Sequence, residues 1–560
     1  MLKRVCSGIA GVWFVYFGLI GMFSFTQGSK KPQAGSVLVS SGSNVEVPEA
    51  TFFAFDAQSV PFRRNLHLTM VPAAKYPSPV LTRGPQGSFD EIRAEYYGTV
   101  IRIGDKYRMW YVGYGFENLN TRTTEGISAH LGYAESADGI HWIKPNLGLV
   151  GYHGNKANNL VAIEPEDYTK WYPDRNVHVL YEPEDPDPSR RYKMMLYVPY
   201  EGGGDTMVPL LSADGLRWRY ALPVNLTDGP KPRFKQSSIA MPAEHLEGGS
   251  LVKVGGLYYE NGQNLNLPDG TRTGRVMSTF WSPDFVHWHA EKALSFVRWG
   301  YDFAKPEAYG VNERFRPLGE QVHEGAALWN RGNVLVGIYG LWEGAKEWKD
   351  RTINLGIITS VDAIHFTEPE PNFRFARRGD PGQWDSGGLL QGQGFESIGE
   401  KTYIWYGSWD LTASQTAEYS REKDYLPHGD IGLFTLRRDG FGYLSVLDPK
   451  SAKPKETFGT GQGSLITAPF RVNQTAASVS LNVELRRGEL TVELLDQGGM
   501  TIPGYSTNDF LALKRSGVRE PAMWKEKKTI PPGGPYRFRV RFDCKERESP
   551  QLYAVYVKAS

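Results

Sequence analysis

The sequence predicts an all-β protein, built as a five-bladed β-propeller followed by a C-terminal β-sandwich. Five times an aspartate is followed four positions later by an aromatic side chain, usually within the pattern S-x-D-G-x-x-W. The copies begin at Asp138, Asp214, Asp284, Asp362 and Asp439, so the steps between them are 76, 70, 78 and 77 residues. A step of this length holds about four strands, which is one propeller blade.

Strand-forming runs precede these motifs, as the blade interpretation requires. Residues 107–112, 192–197, 334–339 and 403–406 are rich in aromatic and branched side chains, which favour a pleated, half-buried surface. The Asp-Gly pair suits a tight turn that needs positive φ. The five aspartates are therefore predicted to form turns and not to catalyse a reaction.

Composition narrows the possible functions. The chain has 560 residues, too many for one hydrophobic core, and a formal net charge of +1. A nucleic-acid-binding surface would need a clustered excess of Lys and Arg, so no nucleic-acid partner is expected. Aromatic residues make up 13% of the chain, a content that fits both all-β cores and surfaces that stack on sugar rings.

The N-terminus has the order of an export signal. Lys3 and Arg4 precede the apolar run 9–25, so residues 1–27 are predicted to be a signal peptide or an N-terminal anchor. We expect a secreted, periplasmic or extracellular protein, with membrane association through an uncleaved anchor as the alternative. Removal of the signal would leave Cys544 as the remaining cysteine, so no intrachain disulfide is expected.

Composition also places the domain boundaries. Residues 28–50 are predicted to be a linker, because they are rich in Gly, Ser and Lys. The propeller is expected at 51–450, and a Lys-, Pro- and Gly-rich segment follows it. The alternating runs 478–485, 489–495, 536–542 and 552–557 then predict the β-sandwich at 460–560.

Acidic residues occupy one repeated position in the predicted blades. In a propeller the innermost strand of each blade lines a central funnel. The glycines of four predicted turns are each preceded, eight or nine residues earlier, by an acidic residue or a glutamine: Glu95 before Gly104, Glu247 before Gly255, Glu324 before Gly332 and Gln391 before Gly399. Asp174 takes this place in the second blade. Four of the five blades would thus direct a carboxylate toward one funnel.

Clustered carboxylates indicate acid–base chemistry. Such groups repel one another when charged, so they are normally excluded from a channel that has no function. Glycoside hydrolysis needs this kind of set, with one carboxylate as nucleophile or base and another held as acid. The alternatives are calcium binding in the channel and ion pairing with Arg93, Arg175 or Lys253. We assign no metal and no cofactor to the site.

The architecture and the order of these acids resemble glycoside hydrolase family 32 and, more loosely, families 43 and 68. The resemblance implies that Glu95 is the nucleophile or base, that Asp174 stabilises the transition state and that Glu247 is the general acid. It covers about 400 residues by order and placement. The motifs differ: a glutamate replaces the family's nucleophilic aspartate, Asp174 lacks the adjoining arginine and proline, and no cysteine follows Glu247. The chain is therefore similar to a remote branch, and the family's substrates are not carried over.

Other residues compete for these roles. Asp90 lies five positions before Glu95, and Asp385 has the matching place in blade five, where a structural role linking blades is equally expected. The remaining candidates are acids with a neighbouring histidine and tryptophans near the funnel loops, namely Glu244, His323, Glu324, Trp171, Trp342, Trp384 and Trp409. The tryptophans either stack on sugar rings or pack between blades.

Two functions follow from this pattern. The first is a secreted glycoside hydrolase acting on an oligo- or polysaccharide through the funnel carboxylates. The second is a carbohydrate-binding or scaffold propeller that kept the fold without the chemistry. Both predict a carbohydrate partner, and the sequence does not identify the sugar, the linkage or the oligomeric state.

Overall fold

The computed structural model describes residues 35–40, 44–118, 126–170, 176–238, 241, 246–300, 321–344, 351–409, 428–446, 461–544 and 548–560. Within these ranges the protein is all-β, as predicted. It has no α-helix there, and its helical turns are the two 3₁₀ segments Pro188–Arg190 and Gln236–Ser238. None of the described helices is long and apolar enough to cross a membrane. The predicted signal peptide or anchor at 1–27 lies outside the described residues.

The middle of the chain forms five successive groups of antiparallel strands. Within each group, strands that follow one another along the chain pair as antiparallel neighbours, except that the short first strand of the second group pairs in parallel with the last. The first group contains β7 (Arg93–Ile103), β8 (Lys106–Phe116), β9 (Ile127–Ser136) and β10 (Trp142–Ile143). The second contains β11 (Ala162–Glu164), β12 (Val177–Tyr181), β13 (Tyr192–Pro199), β14 (Asp205–Ser212) and β15 (Arg217–Tyr220).

The remaining groups follow the same plan. The third contains β16 (Leu246–Val254), β17 (Leu257–Asn266), β18 (Arg272–Ser282) and β19 (Ala293–Phe296). The fourth contains β20 (Gln321–Asn330), β21 (Leu335–Gly344) and β22 (Arg351–Ser360). The fifth contains β23 (Gly388–Ile398), β24 (Lys401–Trp409) and β25 (Ile431–Arg437), and its outer strand is the much earlier β6 (Ala74–Lys75).

One strand of each of the five groups contacts a strand of the next group, and these contacts form a ring. β7 contacts β12, β12 contacts β16, β16 contacts β20 and β20 contacts β23. β23 then pairs in parallel with β7, with Gln393 opposite Thr99. The indole nitrogen of Trp405, in the fifth group, also donates to the carbonyl of Gly139, in the first, at 2.9 Å. The last group is therefore joined to the first by backbone and side-chain hydrogen bonds.

Four of the five repeated aspartates form the predicted turns. Asp138 is representative, because its Oδ1 accepts from the backbone N–H groups of Ile140 at 2.9 Å and His141 at 2.8 Å. The hydroxyl of Ser136 accepts from the N–H of Gly139 at 2.9 Å. The same bonds recur around Asp214 and Asp362, and Asp284 also accepts from the two following N–H groups. The turn-forming role is thus confirmed for these four copies.

The third copy offers a test of this turn. Asp284→Ala removes the acceptor of two backbone hydrogen bonds, from Val286 and His287, both at 2.8 Å. We expect a loss of roughly 1–3 kcal/mol in the free energy of unfolding, measured by denaturant titration. Asp284→Asn keeps Oδ1 and should lose less, and equal losses in the two variants would contradict the turn mechanism.

The pH dependence of this turn has a defined sign. Burial alone would raise the pKa of Asp284, but its bonds to His287 and Val286 lower that pKa to about 2. The stabilisation from the carboxylate is therefore present above the ordinary aspartate pKa. It is lost as the pH falls through about 2.

The fifth copy is different, because Asp439 is fully buried and forms an ion pair. The Arg331 guanidinium donates to both of its carboxylate oxygens, and the Tyr556 hydroxyl donates to Oδ2 at 2.7 Å. Arg331 follows β20 in the fourth group, whereas Tyr556 lies near the C-terminus. This aspartate therefore ties the repeated groups to the C-terminal strands.

Two further sheets, of seven and six strands, enclose one apolar core that contains Val37, Phe52, Phe538 and Val555. Their C-terminal strands are β26 (Gly442–Val446), β27 (Gln462–Ile466), β28 (Phe470–Asn473), β29 (Ala477–Glu484), β30 (Glu489–Leu495), β31 (Gly517–Pro521), β32 (Gly533–Asp543) and β33 (Gln551–Ala559). The others come from the beginning of the described chain: β1 (Ser36–Val39), β2 (Glu46–Val47), β3 (Glu49–Phe53), β4 (Phe62–Arg64) and β5 (Leu66–Met70).

This arrangement differs from the expected linker at 28–50. β1 pairs with β28, with Val37 opposite Val472, and β3 pairs with β33, with Phe52 opposite Val555. The physical reason is that Val37, Val39 and Val47 are apolar residues buried in the core of these sheets. Strands β4 and β5 and the greater part of β3, which fall in the range 51–450 expected for the propeller, also pair with C-terminal strands.

Candidate functional site

A β-bulge interrupts the first strand of four groups at the level of the predicted site. The last residue paired before each bulge is Glu95, Gly248, His323 or Gln391. Bulges bend a strand and re-aim its side chains, and they are frequent beside active sites. Counting from the turn glycines identified the right level of each strand. Glu95 and Gln391 are themselves the last paired residues before their bulges. Glu247 lies one position before that residue of its strand, and Glu324 lies one position after it.

Three of the predicted acids affect one tyrosine, Tyr97. It lies inside the bulge of β7 and is 6% exposed. Burial raises its pKa well above the ordinary tyrosine value, and the charges of Glu324, Glu95 and Glu247 raise it further. Three carboxylates from three different groups therefore lie within electrostatic reach of one phenol.

Glu95 is the most deeply buried of these acids, at 5% exposure. Its Oε2 lies 3.0 Å from Nε of Arg93, whose guanidinium stacks over the ring of Tyr114 at 3.9 Å. Burial raises the pKa of the Glu95 carboxyl, while Arg93 and a hydrogen bond from Tyr114 act in the opposite direction. The net effect is a pKa above the ordinary glutamate value, because burial outweighs the ion pair and the hydrogen bond.

Glu247 and Glu324 are held by neutral amides and are slightly more open, with side chains 13% exposed. Gln263 Nε2 donates a short hydrogen bond to Glu247, and Asn176 Nδ2 donates to Glu324 at 2.8 Å. Arg275 Nη1 lies 3.9 Å from Glu247. Glu324 has a φ of +57°, a strained backbone conformation of the kind found at functional sites.

His323 belongs to the wall of the site. Its ring stacks on the ring of Trp342, with centroids 5.1 Å apart. The guanidinium carbon of Arg275 also lies over the Trp342 ring, 4.5 Å from its centroid. Burial and the charge of Arg275 lower the pKa of His323 to about 3. Its imidazole is therefore neutral at physiological pH. Trp342 is 1% exposed and packs inside the protein.

Gln391 is bonded to the backbone on either side of Glu324 and has a structural role. Its Nε2 donates to the backbone carbonyls of His323 at 2.7 Å and Gly325 at 3.1 Å. The buried Oε1 has no hydrogen-bond partner among the described residues. Gln391 therefore links the fifth group to the bulge of the fourth.

Asp90 and Asp385 lie outside this cluster and have matching environments. Asp90 pairs with Lys144 and accepts from the hydroxyl of Tyr111. Asp385 pairs with Lys75 and accepts from the hydroxyl of Tyr406. Both carboxylates are buried, at 1% and 2% exposure, and both anchor a loop to its own group of strands. The contacts give Asp385 a structural role within its own group, and not the expected role of linking two blades.

The tryptophans and the remaining acids complete the predicted set. Trp384 is half-buried and stacks on the ring of Tyr406, with centroids 5.7 Å apart. Trp171, Asp174 and Glu244 lie outside the described residues, so their roles stay predictions.

Sequence reasoning missed four residues of the site: Tyr97, Asn176, Gln263 and Arg275. Tyr97 had a detectable signal, because it follows Glu95 by two positions on a predicted strand. The others carry no motif, and their place depends on the pairing of separate strands, such as Glu247 opposite Gln263.

Two glycines allow the strands of the site to approach closely. A Cβ on Gly249 would lie 2.5 Å from the backbone nitrogen of Ala326 and 2.8 Å from the carbonyl oxygen of Glu324. One on Gly248 would meet the wholly buried pair His178–Glu260, whose Nδ1 and Oε1 lie 2.7 Å apart. Gly249 is thus required by the close approach of backbone atoms, and Gly248 by the buried side chains beside it.

Gly249→Ala should disturb the site through this packing. The added methyl group meets backbone atoms, which cannot rotate away, so β16 and β20 must separate. We expect a loss of about 1–3 kcal/mol in unfolding free energy, measured by denaturant titration. Gly256→Ala, at a turn position with open space but a φ of +88°, is the control for backbone strain without a clash. An unchanged stability for Gly249→Ala would contradict the close approach of the two strands.

The described residues contain no group of three or more His, Cys, Asp or Glu side chains arranged to hold a metal ion. What they do contain is three glutamates with two guanidinium groups and a neutral histidine. Such a set can donate and accept protons, and it can form hydrogen bonds with hydroxyl groups.

Comparison with known proteins gives structural likeness alone. No protein-family model matches the chain, and no curated protein matches it. A solved structure of a glycosyl hydrolase from Bacteroides ovatus is 13% identical, with a TM-score of 0.40, over 66% of this chain and 94% of that one. An N-acetylgalactosamine deacetylase from F. plautii, in complex with blood group B trisaccharide, is 16% identical, with a TM-score of 0.39, over 66% and 95%.

A third solved structure is a β-1,2-mannobiose phosphorylase from Listeria innocua in complex with β-1,2-mannobiose. It is 10% identical, with a TM-score of 0.39, over 66% of this chain and 97% of that one. These three proteins have different named activities.

Proposed function

We propose that the five groups of strands are the blades of a closed five-bladed propeller and that the two terminal sheets form a β-sandwich. The ring of contacts from β7 through β12, β16, β20 and β23 back to β7 supports the first part. The apolar core shared by the two terminal sheets supports the second. In this arrangement the four bulges lie on the innermost strands, where side chains converge.

We further propose that the protein is a hydrolase of glycosidic bonds. The observation that carries this proposal is the convergence of Glu95, Glu247 and Glu324 on Tyr97 from three separate groups. Carboxylates that share one buried region cannot all be ionised without a cost in free energy, so one of them tends to keep its proton. A protonated and an ionised carboxyl side by side are what glycoside hydrolysis requires.

The roles within the site follow from the environments. Glu95 is proposed as nucleophile or base. Burial raises the pKa of its carboxyl, but the Arg93 guanidinium, 3.0 Å away, stabilises the charged form that these roles need. Glu247, more open and bonded to Gln263, is proposed as the general acid. Asp174 remains the proposed stabiliser of the transition state, and Glu324 is an alternative acid.

The test is a screen of the purified protein against oligosaccharides and aryl glycosides, run beside a carbohydrate-binding array. Turnover that disappears in the double variant Glu95→Gln, Glu247→Gln supports the proposal. Binding without turnover on any substrate favours the alternative, a carbohydrate-binding propeller. Once a substrate is found, the anomeric form of the product, followed by NMR, distinguishes retention from inversion.

We also propose export of the protein through residues 1–27. The support is the sequence itself, in which two basic residues precede an apolar run of 17 residues. Expression of the full chain, followed by fractionation and N-terminal sequencing, tests it. Loss of the first residues with release from the cell supports a signal peptide, and retention of the intact N-terminus in the membrane fraction supports the anchor.

A further inference from the structure

The seven-stranded terminal sheet carries a polar cavity of about 370 Å³ on one face. Its described lining residues are all separate from the glutamate site. Side chains alternate between the two faces of a strand, and Leu465, Val492 and Val540 lie in the apolar core. The residues next to them along β27, β30 and β32 therefore face away from the core, and the cavity lies on the solvent side of the sheet.

Two arginines stand on either side of a serine in this cavity. Ser464 of β27 pairs with Arg64 of β4 on one side and with Arg541 of β32 on the other. Thr491 of β30 continues the row beyond Arg541, and all four side chains line the cavity. Two strand spacings, about 10 Å, separate the Cα atoms of the two arginines. The short serine between these long side chains leaves an open place between the guanidinium groups.

Both guanidinium groups have donors available for a ligand. The Arg541 side chain is 50% exposed, and its Nε donates to Glu493 at 2.8 Å. Its two terminal nitrogens have no partner among the described residues. The exposed Arg64 side chain forms no hydrogen bond or ion pair within the described part of the chain. Guanidinium groups donate paired hydrogen bonds to a planar carboxylate, so an anionic group fits between them.

The rest of the cavity offers groups that suit the hydroxyls of a sugar. Glu489 and Asp543, paired on adjacent strands at one end, are acceptors. The hydroxyl groups of Ser464, Thr491 and Thr507 both donate and accept. The two acids also offset the charge of the two arginines, and the whole chain has a formal net charge of +1. The cavity therefore suits a hydroxylated ligand with a single carboxylate better than a dense polyanion.

We propose that this cavity binds a uronic acid residue of an acidic polysaccharide, with the carboxylate between Arg64 and Arg541. Phe62, two positions before Arg64 on the same face of β4, is 56% exposed and provides an apolar surface for the adjoining sugar ring. The inference goes beyond the proposed function, because it assigns a second binding site that holds the protein on its polymer. Only the choice of a sugar as the ligand rests on the proposed function.

Affinity electrophoresis of the full chain tests the proposal, with migration compared to a gel without polymer. The probes are polygalacturonate and its methyl ester, which has the same backbone without the charge. We expect polygalacturonate to retard the protein and the ester to leave its migration unchanged. Arg64→Gln and Arg541→Gln should each weaken the binding of polygalacturonate about tenfold, because each removes charge-assisted hydrogen bonds. Arg217→Gln, whose arginine is 57% exposed and pairs with Asp214 in its own turn, should bind as the wild type does.

A variant that fills the cavity separates this site from general charge attraction. Ser464→Phe occupies the place between the two arginines without altering the charge, so it should also abolish the retardation. Ser478→Phe, at an exposed position of β29, is the control for an added phenyl group. Binding of polygalacturonate that survives in Ser464→Phe, or in both arginine variants, would overturn the inference.

Two further polymers test the class of ligand. Dextran sulfate carries sulfate groups on a sugar backbone, and polyglutamate carries carboxylates without any sugar. Retardation by either polymer that equals that of polygalacturonate and is lost in Arg541→Gln would overturn the assignment to a uronic acid, as would equal binding of the methyl ester. Because binding is measured without turnover, selective retardation by polygalacturonate supports the inference even if no glycoside is hydrolysed. Hydrolysis of a glycoside without any binding of polygalacturonate would overturn the inference and leave the proposed function standing.

Discussion

Glu247→Gln is expected to slow the hydrolysis of natural glycosidic linkages by about 10² to 10⁴-fold, because the amide cannot supply a proton to the leaving group. The substitution preserves the shape of the side chain and leaves the backbone pairing of Glu247 with Gln263 intact. Aryl glycosides with good leaving groups need little protonation, so their hydrolysis should slow much less. The measurement is kcat/KM on the two substrate types, with sugar binding followed in parallel.

The control for this prediction is Asp90→Asn, since Asp90 is a buried carboxylate of the first group that pairs with Lys144 away from the cluster. Its substitution should lower stability while leaving the ratio of rates on the two substrate types unchanged. Wild-type hydrolysis of natural linkages by Glu247→Gln would show that another group is the acid. Glu324, which also acts on Tyr97, and Glu244 are then the next candidates.

Asp439→Asn is expected to lower the free energy of unfolding by about 3–5 kcal/mol, because it leaves the buried guanidinium of Arg331 without its carboxylate. Asp439 is fully buried, and the side chain of Arg331 is 11% exposed. The same carboxylate accepts from Tyr556, so the substitution weakens the junction between the repeated groups and the terminal sheets. Denaturant unfolding followed by tryptophan fluorescence measures the loss.

The double variant with Arg331→Met distinguishes an unpaired charge from lost packing. Removing both charges should recover part of the stability lost in Asp439→Asn. Lys106→Met, which breaks an ion pair with Glu135 at the surface, should cost less than about 1 kcal/mol. A double variant as unstable as the sum of the two single variants would contradict the ion-pair explanation.

This ion pair also predicts how stability depends on pH. Burial by itself would raise the pKa of Asp439, but Arg331 and Tyr556 outweigh it and hold the pKa below the ordinary aspartate value. The stabilisation is therefore present above the aspartate pKa of the unfolded chain and is lost as the pH falls through the lower folded value. The difference between wild type and Asp439→Asn should narrow in acid, below about pH 4.

The parts of the structure that local sequence determines were predictable. The repeated aspartate turns follow from a side-chain acceptor that bonds to the backbone N–H groups two and three residues later, and four of the five copies behave in this way. The all-β class follows from the same repeat. The level of Glu95 and Gln391 on their strands could be found by counting back from a turn glycine, because strand rise is regular.

The parts that depend on distant pairing were not predictable. Asp439 has the repeated pattern but is buried by Arg331 and Tyr556, which lie 108 and 117 residues away along the chain. Glu247 lies one position before the last paired residue at the bulge of β16, and Glu324 lies one position after it at the bulge of β20. No local pattern in the sequence marks a bulge. The valines of β1 lie in a polar segment, and their partner strand, β28, is more than 400 residues away.

The pairing of β1 and β3 with β28 and β33 also has a consequence for the order of folding. During synthesis the first strands leave the ribosome long before their partners exist, at a rate of roughly 5–20 residues per second. For tens of seconds their edges have no native partner, and contacts of such sequence separation form slowly. β6 must likewise wait for β25 to complete the fifth group. The nascent chain therefore has to be kept from aggregation until β33 is made.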